Sequence, residues 1–326
     1  MQTIRLITIF GSVFLFLCAL FSFIKTPWYL PELFSHYQMQ LFIGGAIIFV
    51  GLLLLRKSPP VVYILITAAL TLNAINLVPY ANFERLKIIP QSERIKIEKP
   101  GTYSLLQANI FKFNFEYQVL TEMIRDLDPD IFVLFEMTPT WREKLQDLTT
   151  IWPHYLALPE DGSHGIGLYS KYPLVDPQII QMSDMDIPAI ISDIRLNGQD
   201  VKLVAPHPLP PVSQSFFVNR NQHFQWIEDN MDQFGHMPVI IAGDLNTTMF
   251  APHYKSMMRR TGLHNARRGR GLQNSFYIYG HKPTGIPIDH FLFNDRINVI
   301  HSFRTPEIKS DHVPILTYFK VKNDFR

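Results

Sequence analysis

Three long apolar runs fill the front of the chain and limit what the rest can be. Residues 4–24 (IRLITIFGSVFLFLCALFSFI) are almost continuously apolar, long enough as a helix to cross about 30 Å of hydrocarbon. Residues 39–55 (MQLFIGGAIIFVGLLLL) reach the short end of that range. Residues 61–80 (VVYILITAALTLNAINLVPY) carry Asn73 and Asn76, whose amides need partners on a neighbouring helix. A cleaved leader followed by a buried helical hairpin is the competing reading. No small-residue cleavage site follows the first run, so residues 1–82 read as a transmembrane region of about three helices.

Orientation follows from the short loops. Arg5 precedes the first run, and Arg56 with Lys57 separates the second from the third with no acid beside it. Lys25 is offset by Glu32, and Trp28, Tyr29 and Tyr37 suit a membrane interface. This pattern places the N-terminus and the second loop in the cytoplasm and everything after Tyr80 on the periplasmic or outer face. Arg85, Lys87, Arg94, Lys96 and Lys99 pull the other way. They lie in a linker, residues 83–100, that ends at Pro100-Gly101.

After Gly101 the texture alternates between strand and helix patterns. TYSLLQANI, DIFVLFE, GIGLYS, AIISDIRL, DVKLVAPH and MPVIIAGD read as strands, as do IDHFLFN, INVIHSF and HVPILTYF. Asn197-Gly198 is a hairpin turn. Val119, Met123, Ile124 and Leu127 have helical spacing, and further helices are expected near 215–234 and 253–263. Charged residues make up 18% of the chain, against about 25% in an average soluble protein, which excludes a disordered chain. The single cysteine, Cys18, excludes a disulfide framework or a multi-thiolate zinc site. A net charge of +2 is too small to argue for nucleic acid. Helices interleaved with strands imply sheets covered by helices, an α/β sandwich over residues 101–326 with a core of its own.

The chemistry collects where apolar strands end. Asn109 follows SLLQA, Glu136 follows DIFVLF, His207 follows VKLVAP, and Asp244 with Asn246 follows PVIIAG. Asp289-His290 and Asp311-His312 stand at the starts of two more strands. Taken singly, each acid reads as a turn former or cap. Together they place oxygen ligands of the kind a hard divalent cation takes along one rim.

In this order, Asn109, DPDIFVLFE ending at Glu136, His207, GDLN at 243–246, IDH at 288–290 and SDH at 310–312 resemble the endonuclease/exonuclease/phosphatase superfamily. That is the fold of pancreatic deoxyribonuclease, abasic-site endonucleases, neutral sphingomyelinases and inositol-polyphosphate phosphatases. The likeness covers about residues 101 to 321. It implies a four-layered α/β sandwich of two packed mixed sheets flanked by helices, here preceded by an N-terminal transmembrane segment. It also implies hydrolysis of phosphodiester or phosphomonoester bonds with magnesium, manganese being the alternative. By the same resemblance Glu136 is the principal metal ligand, with Asn109 and Asp311 nearby. Asp244 orients or deprotonates the attacking water, and Asn246 holds a phosphate oxygen. His312 is the imidazole of the SDH motif, Asp289 orients it, and His207 is the second family histidine. From its position alone, at the start of the helix after the His207 strand, Arg220 is placed to reach a phosphate, an ordinary surface arginine being the alternative.

Some features depart from the pattern. Phe135 stands where the family often has Gln, and prolines crowd His207 in APHPLPP. His164, His281 and His290 have no assigned role, while Arg259, Arg260, Arg267, Arg268 and Arg270 form a basic cluster that reads by default as a solvated face. The favoured reading is a membrane-anchored phosphohydrolase acting on nucleic acid or on a phospholipid or sphingolipid, with no protein partner inferred. A catalytically inactive, membrane-tethered binding module is the alternative; a transporter has little support.

Overall fold

The computed structural model describes residues 2–55, 58–82, 101–235 and 237–322. Arg56 and Lys57, which carry the orientation argument, and the whole linker 83–100 lie outside the described residues.

Two six-stranded mixed sheets pack face to face. The first comprises β1 (Tyr103–Asn109), β2 (Ile131–Phe135), β3 (His154–Leu158), β4 (Ile166–Ser170), β11 (Ile297–Arg304) and β12 (Ile315–Val321), in the order β11-β12-β1-β2-β4-β3. The second comprises β5 (Leu174–Gln181), β6 (Pro188–Leu196), β7 (Gln199–Ala205), β8 (Val239–Asp244), β9 (His264–Asn265) and β10 (Asp289–Phe293), in the order β5-β6-β7-β8-β10-β9. Each sheet contains one parallel pair, β1 with β2 and β7 with β8; the other pairings are antiparallel. Asn197 and Gly198 both take positive φ, 49° and 86°, and close the β6–β7 hairpin as read from the sequence.

Alternation along the strands sorts side chains into three apolar layers. Leu105, Val133, Phe135 and Leu168 of the first sheet meet Ile190, Leu203, Ile240 and Phe291 of the second. The outer face of the first sheet, with Leu106, Phe132 and Leu134, packs on α5 (Tyr117–Leu127) and α6 (Pro139–Lys144). That of the second, with Val204 and Ile241, packs on α7 (Gln214–Asn230) and α8 (Pro252–Thr261). Helix, sheet, sheet, helix is the four-layered sandwich expected. β2 is apolar at every position because both its faces are covered.

The N-terminal part forms α1 (Gln2–Leu20), α2 (Tyr29–Ser35), α3 (Gln38–Leu55) and α4 (Pro60–Leu77), the last extended by a 3₁₀ turn to Tyr80. Among the described residues only Pro60–Tyr80 is by itself long and apolar enough to cross a membrane. The pair α2 and α3 meets that test together but is bent by 68°, and the apolar stretch Leu6–Leu20 of α1 is shorter than a span. Three separate spans are therefore more than the helices themselves show. Asn76 finds the partners anticipated for it, donating to Ser22 Oγ at 2.7 Å and Gln38 Oε1 at 3.0 Å. Asn73 Oδ1 is buried with no hydrogen-bond partner.

These helices are built onto the sandwich. Leu77 and Tyr80 pack against the apolar layer of the second sheet, and the Tyr80 ring meets Phe250 edge-on at 5.9 Å. Lys255 Nζ donates to Ser22 O and Asn76 Oδ1, and Gln214 Nε2 to Pro27 O at 2.7 Å.

Candidate active site

The two parallel pairs explain why the polar strand ends meet. Parallel neighbours finish at the same edge, so β1 and β2 bring Asn109 and Glu136 together while β7 and β8 do the same for His207 and Asp244. β10 runs antiparallel to β8 with Asp289 opposite Asp244, so the start of β10 arrives at that edge. β12 runs antiparallel to β1, which carries the preceding Asp311 and His312 there too. Ser310 Oγ, donating to Asn109 O at 2.8 Å, ties the last motif to the first.

Two glycines allow the close approaches this needs. A Cβ on Gly165 would lie 1.9 Å from Met137 O, just after Glu136, and one on Gly243 would lie 2.2 Å from Pro206 O, just before His207. Glu136 and Asn246 themselves adopt positive φ, 60° and 47°, which turns each side chain out of its strand direction.

Asp244 is the centre. Its Oδ1 accepts the Asn246 N–H at 2.9 Å. Its Oδ2 accepts from Asn109 Nδ2 at 3.2 Å and faces His207 Nε2 at 3.5 Å and His312 Nε2 at 3.6 Å. Burial alone would raise this carboxyl, but the His312 charge, His207 and the Asn246 amide outweigh it and bring the pKa to about 2. His312 donates from Nδ1 to Asp289 Oδ2 at 2.9 Å. Burial opposes its charge, and the carboxylates of Asp289 and Asp244 overcome that and raise its pKa to about 10, so an imidazolium stands here at neutral pH. His207 is likewise raised against burial by its contact with Asp244 and by the charges of Asp244 and Glu136. Phe135 supports it, ring on ring at 5.4 Å.

Asn109 bridges carboxylates. Its Nδ2 donates to Glu136 Oε1 at 3.1 Å as well as to Asp244, and its Oδ1 accepts the Phe111 N–H at 3.0 Å. Glu136 Oε2 accepts the Lys112 N–H at 3.1 Å, and the residue stays partly exposed. Asp311 is raised above the usual carboxylate range, by burial first and then by the charges of Glu136 and Asp244, although His312 pulls it down. Among the described residues, Asp244, Asp289 and His312 offer ligand atoms within 4.8 Å of one another, close enough to hold a metal. Both His312 nitrogens already face carboxylates, however, so the cation of that group is its own imidazolium. Among the described residues, Glu136 and Asp311 have no salt-bridge partner within 4.0 Å. Those hard oxygens fit a divalent cation.

Asn246 Nδ2 donates to Pro208 O at 2.8 Å, which fixes the amide against the proline-rich turn after His207. Arg220 is a correction. It is fully buried, paired with Glu32 and set against the Phe217 and Phe224 rings, so it offers no exposed N–H to a phosphate. The basic cluster also divides: Arg259 and Arg268 are exposed, Arg260 pairs with Glu228, Arg270 donates to Ala266 O and Val299 O, and Arg267 is buried.

Ser275 escaped the sequence reading, which also left His290 without a role. Ser275 Oγ accepts the Asp289 N–H at 3.1 Å and fixes the start of β10. His290 is buried, donating from Nε2 to Thr247 O at 2.8 Å while Nδ1 accepts from Asn265 Nδ2 at 3.1 Å. Burial and then the Arg267 charge push its pKa down to about 3, so it is neutral. Strand alternation held the signal: with Asp289 facing the site, His290 must face α8, where its ring lies 4.9 Å from Tyr254.

Comparisons with known proteins agree with this fold. Residues 106–312 match the model of the Endonuclease/Exonuclease/phosphatase family. A search of curated protein sequences finds no match. Among solved structures, D. rerio TDP2 complexed with single-strand DNA product superposes with a TM-score of 0.57 at 14% identity, covering 68% of this chain and 99% of that one. An endonuclease/exonuclease/phosphatase family protein from Bacteroides thetaiotaomicron gives 0.55 at 17% identity, covering 69% and 100%. The human Nocturnin catalytic domain with bound sulfate gives 0.55 at 17% identity, covering 68% and 95%. With the family match spanning residues 106–312, and the strand ends converging as described, the chain belongs to the endonuclease/exonuclease/phosphatase family.

Proposed function

We propose that this chain is a membrane-anchored, divalent-metal-dependent phosphohydrolase that cleaves phosphodiester bonds. The observation that carries the reading is the convergence of two imidazoles on the buried Asp244 carboxylate, with the carboxylates of Glu136 and Asp311 at the same sheet edge. Glu136 and Asp311 would hold a magnesium or manganese ion, with Asn109 bracing Glu136. Such an ion, when bound, supplies Lewis-acid neutralisation of phosphoryl charge.

The chain's own residues do the rest. His312, kept protonated and oriented by Asp289, presents its Nε2–H to the space in front of Asp244, where it can donate to a phosphoryl or leaving oxygen. His207 offers a second imidazole to the same point. Asp244, at about 2, is a weak base at neutral pH. Its role is to orient a water and to hold both imidazoles. Asn246 presents its amide beside it.

Anchoring is supported by the apolar outer surfaces of α1, α3 and α4, where Phe10, Ile47, Leu54 and Ile64 are largely exposed. For the substrate, a structural neighbour holding a DNA product supports nucleic acid, and a bilayer tether supports a phospholipid. The test is a panel assay of the full chain, with magnesium or manganese and with chelator, against DNA, RNA, phospholipid, sphingomyelin and inositol phosphates. Metal-dependent cleavage of one class is expected; no hydrolysis of any would overturn the reading.

A further inference from the structure

The segment from Asp244 to Thr248 joins β8 to α8 and carries two of the site residues. It is held from several sides. Leu245 N donates to Ile288 O at 3.0 Å, Asn246 Nδ2 to Pro208 O at 2.8 Å, and His290 Nε2 to Thr247 O at 2.8 Å. The next anchor comes from outside the sandwich. Thr248 N donates to Nδ1 of His36 at 3.3 Å, and Thr248 Oγ1 lies 3.1 Å from the same nitrogen. His36 lies between α2 and α3, and both residues are buried. A nitrogen that accepts a backbone N–H carries no proton, so this imidazole is the Nε2–H tautomer.

A buried cluster seats His36. Glu32, one turn earlier, pairs through one carboxylate oxygen with Arg220 of α7 and through the other with His253 of α8. Glu32 is 3% exposed and Arg220 is not exposed at all. The carboxylate thus clamps α2 to both helices that cover the second sheet, and α8 begins four residues after Thr248. Removing Glu32 would leave the buried Arg220 without its ion-pair partner, which ties α2 to α7.

We propose that His36 is a positioning residue of the active site, and that the Glu32–Arg220–His253 cluster sets it in place. The N-terminal helices are then a working part of the hydrolase as well as its tether. The inference rests on the catalytic reading of Asp244 and Asn246. A shift of about 1 Å at groups of this kind can cost on the order of 10²-fold in rate, and loss of a single supporting bond roughly 10-fold.

The test uses the full chain in detergent with magnesium and bis(p-nitrophenyl) phosphate, a small diester that does not depend on the groove. His36→Ala is expected to lower kcat roughly 10-fold with little change in KM. His36→Asn, whose Oδ1 can accept the Thr248 N–H near the place of Nδ1, is expected to restore most of it; a merely structural role would not yield that pattern. A folded His36→Ala with unaltered kcat, or a His36→Asn no better than His36→Ala, would overturn the proposal. If His36→Ala does not fold, hydrogen exchange at the Thr248 amide of the unsubstituted chain decides: strong protection supports the anchor and loop-like exchange refutes it. Asp244→Asn in the same assay separates the two readings. Activity that survives it overturns both, whereas loss there with an indifferent His36→Ala overturns only this one.

Discussion

Against the opposing effect of burial, Asp289 and then Asp244 raise His312 to about 10, while His312, His207 and the Asn246 amide bring Asp244 to about 2. Asp244→Asn removes the charge that orients the water and both imidazoles, and kcat is expected to fall on the order of 10²-fold. His312→Ala should cost a similar factor, and Asp289→Asn less, since it loosens the imidazole without deleting it. Glu136→Gln should act differently, raising the metal concentration needed for half-maximal rate; metal titrations of the variants distinguish the two patterns. Turnover that persists in both Asp244→Asn and His312→Ala would sink the assignment. These residues were legible because each is a polar group at the end of an apolar strand, which is a local pattern. Arg220 misled because its partner, Glu32, lies 188 residues away, and no spacing rule reaches across that distance.

At the scale of elements, the candidate site groups ride on strand ends, and two of the close approaches beside them require glycine. Gly165→Ala and Gly243→Ala would each press a methyl into a backbone carbonyl, at Met137 and Pro206. Each is expected to cost about 1–3 kcal/mol of stability, measured by thermal unfolding, and to lower activity in the fraction that stays folded. A control at Gly162, where a Cβ meets nothing within 4 Å, should be near neutral. The strands next to the site were readable as short, mostly apolar runs, β2 wholly so. The half-exposed β3 and the exposed β5 were not, because neither repeats a clean buried pattern. β5 turns Asp176, Pro177 and Gln178 outward in succession and pairs with β6 through an irregular register.

Across the whole molecule, the N-terminal helices and the sandwich share buried contacts, which changes what a truncated chain can do. A fragment beginning at Gly101 has the length for its own core, but it would strand Arg220 without Glu32 and uncover the surface that Leu77 and Tyr80 occupy. Breaking a buried pair this way costs about 3–5 kcal/mol, a large share of a typical domain's stability. That fragment is expected to aggregate or to melt well below the full chain, as scanning calorimetry would show. Acid should weaken the full chain as well. Burial pushes His223 down to about 4, and its Nδ1–H donates to Asn219 O at 3.0 Å. The folded chain refuses a proton that the unfolded chain accepts, so the stability from this group is complete above about pH 6.5 and is lost as the pH falls towards 4. The loss amounts to roughly 3 kcal/mol at most. His223→Gln should flatten the fall in Tm between those values; an unchanged slope would refute the assignment.

Each sheet supplies only half of the catalytic constellation, and β12, the last described strand, inserts between β11 and β1 with Asp311 and His312 just before it. Asp311 and His312 arrive with the first sheet and Asp244 and Asp289 with the second, so any slide of one sheet over the other would part the imidazolium from the carboxylates that hold its charge.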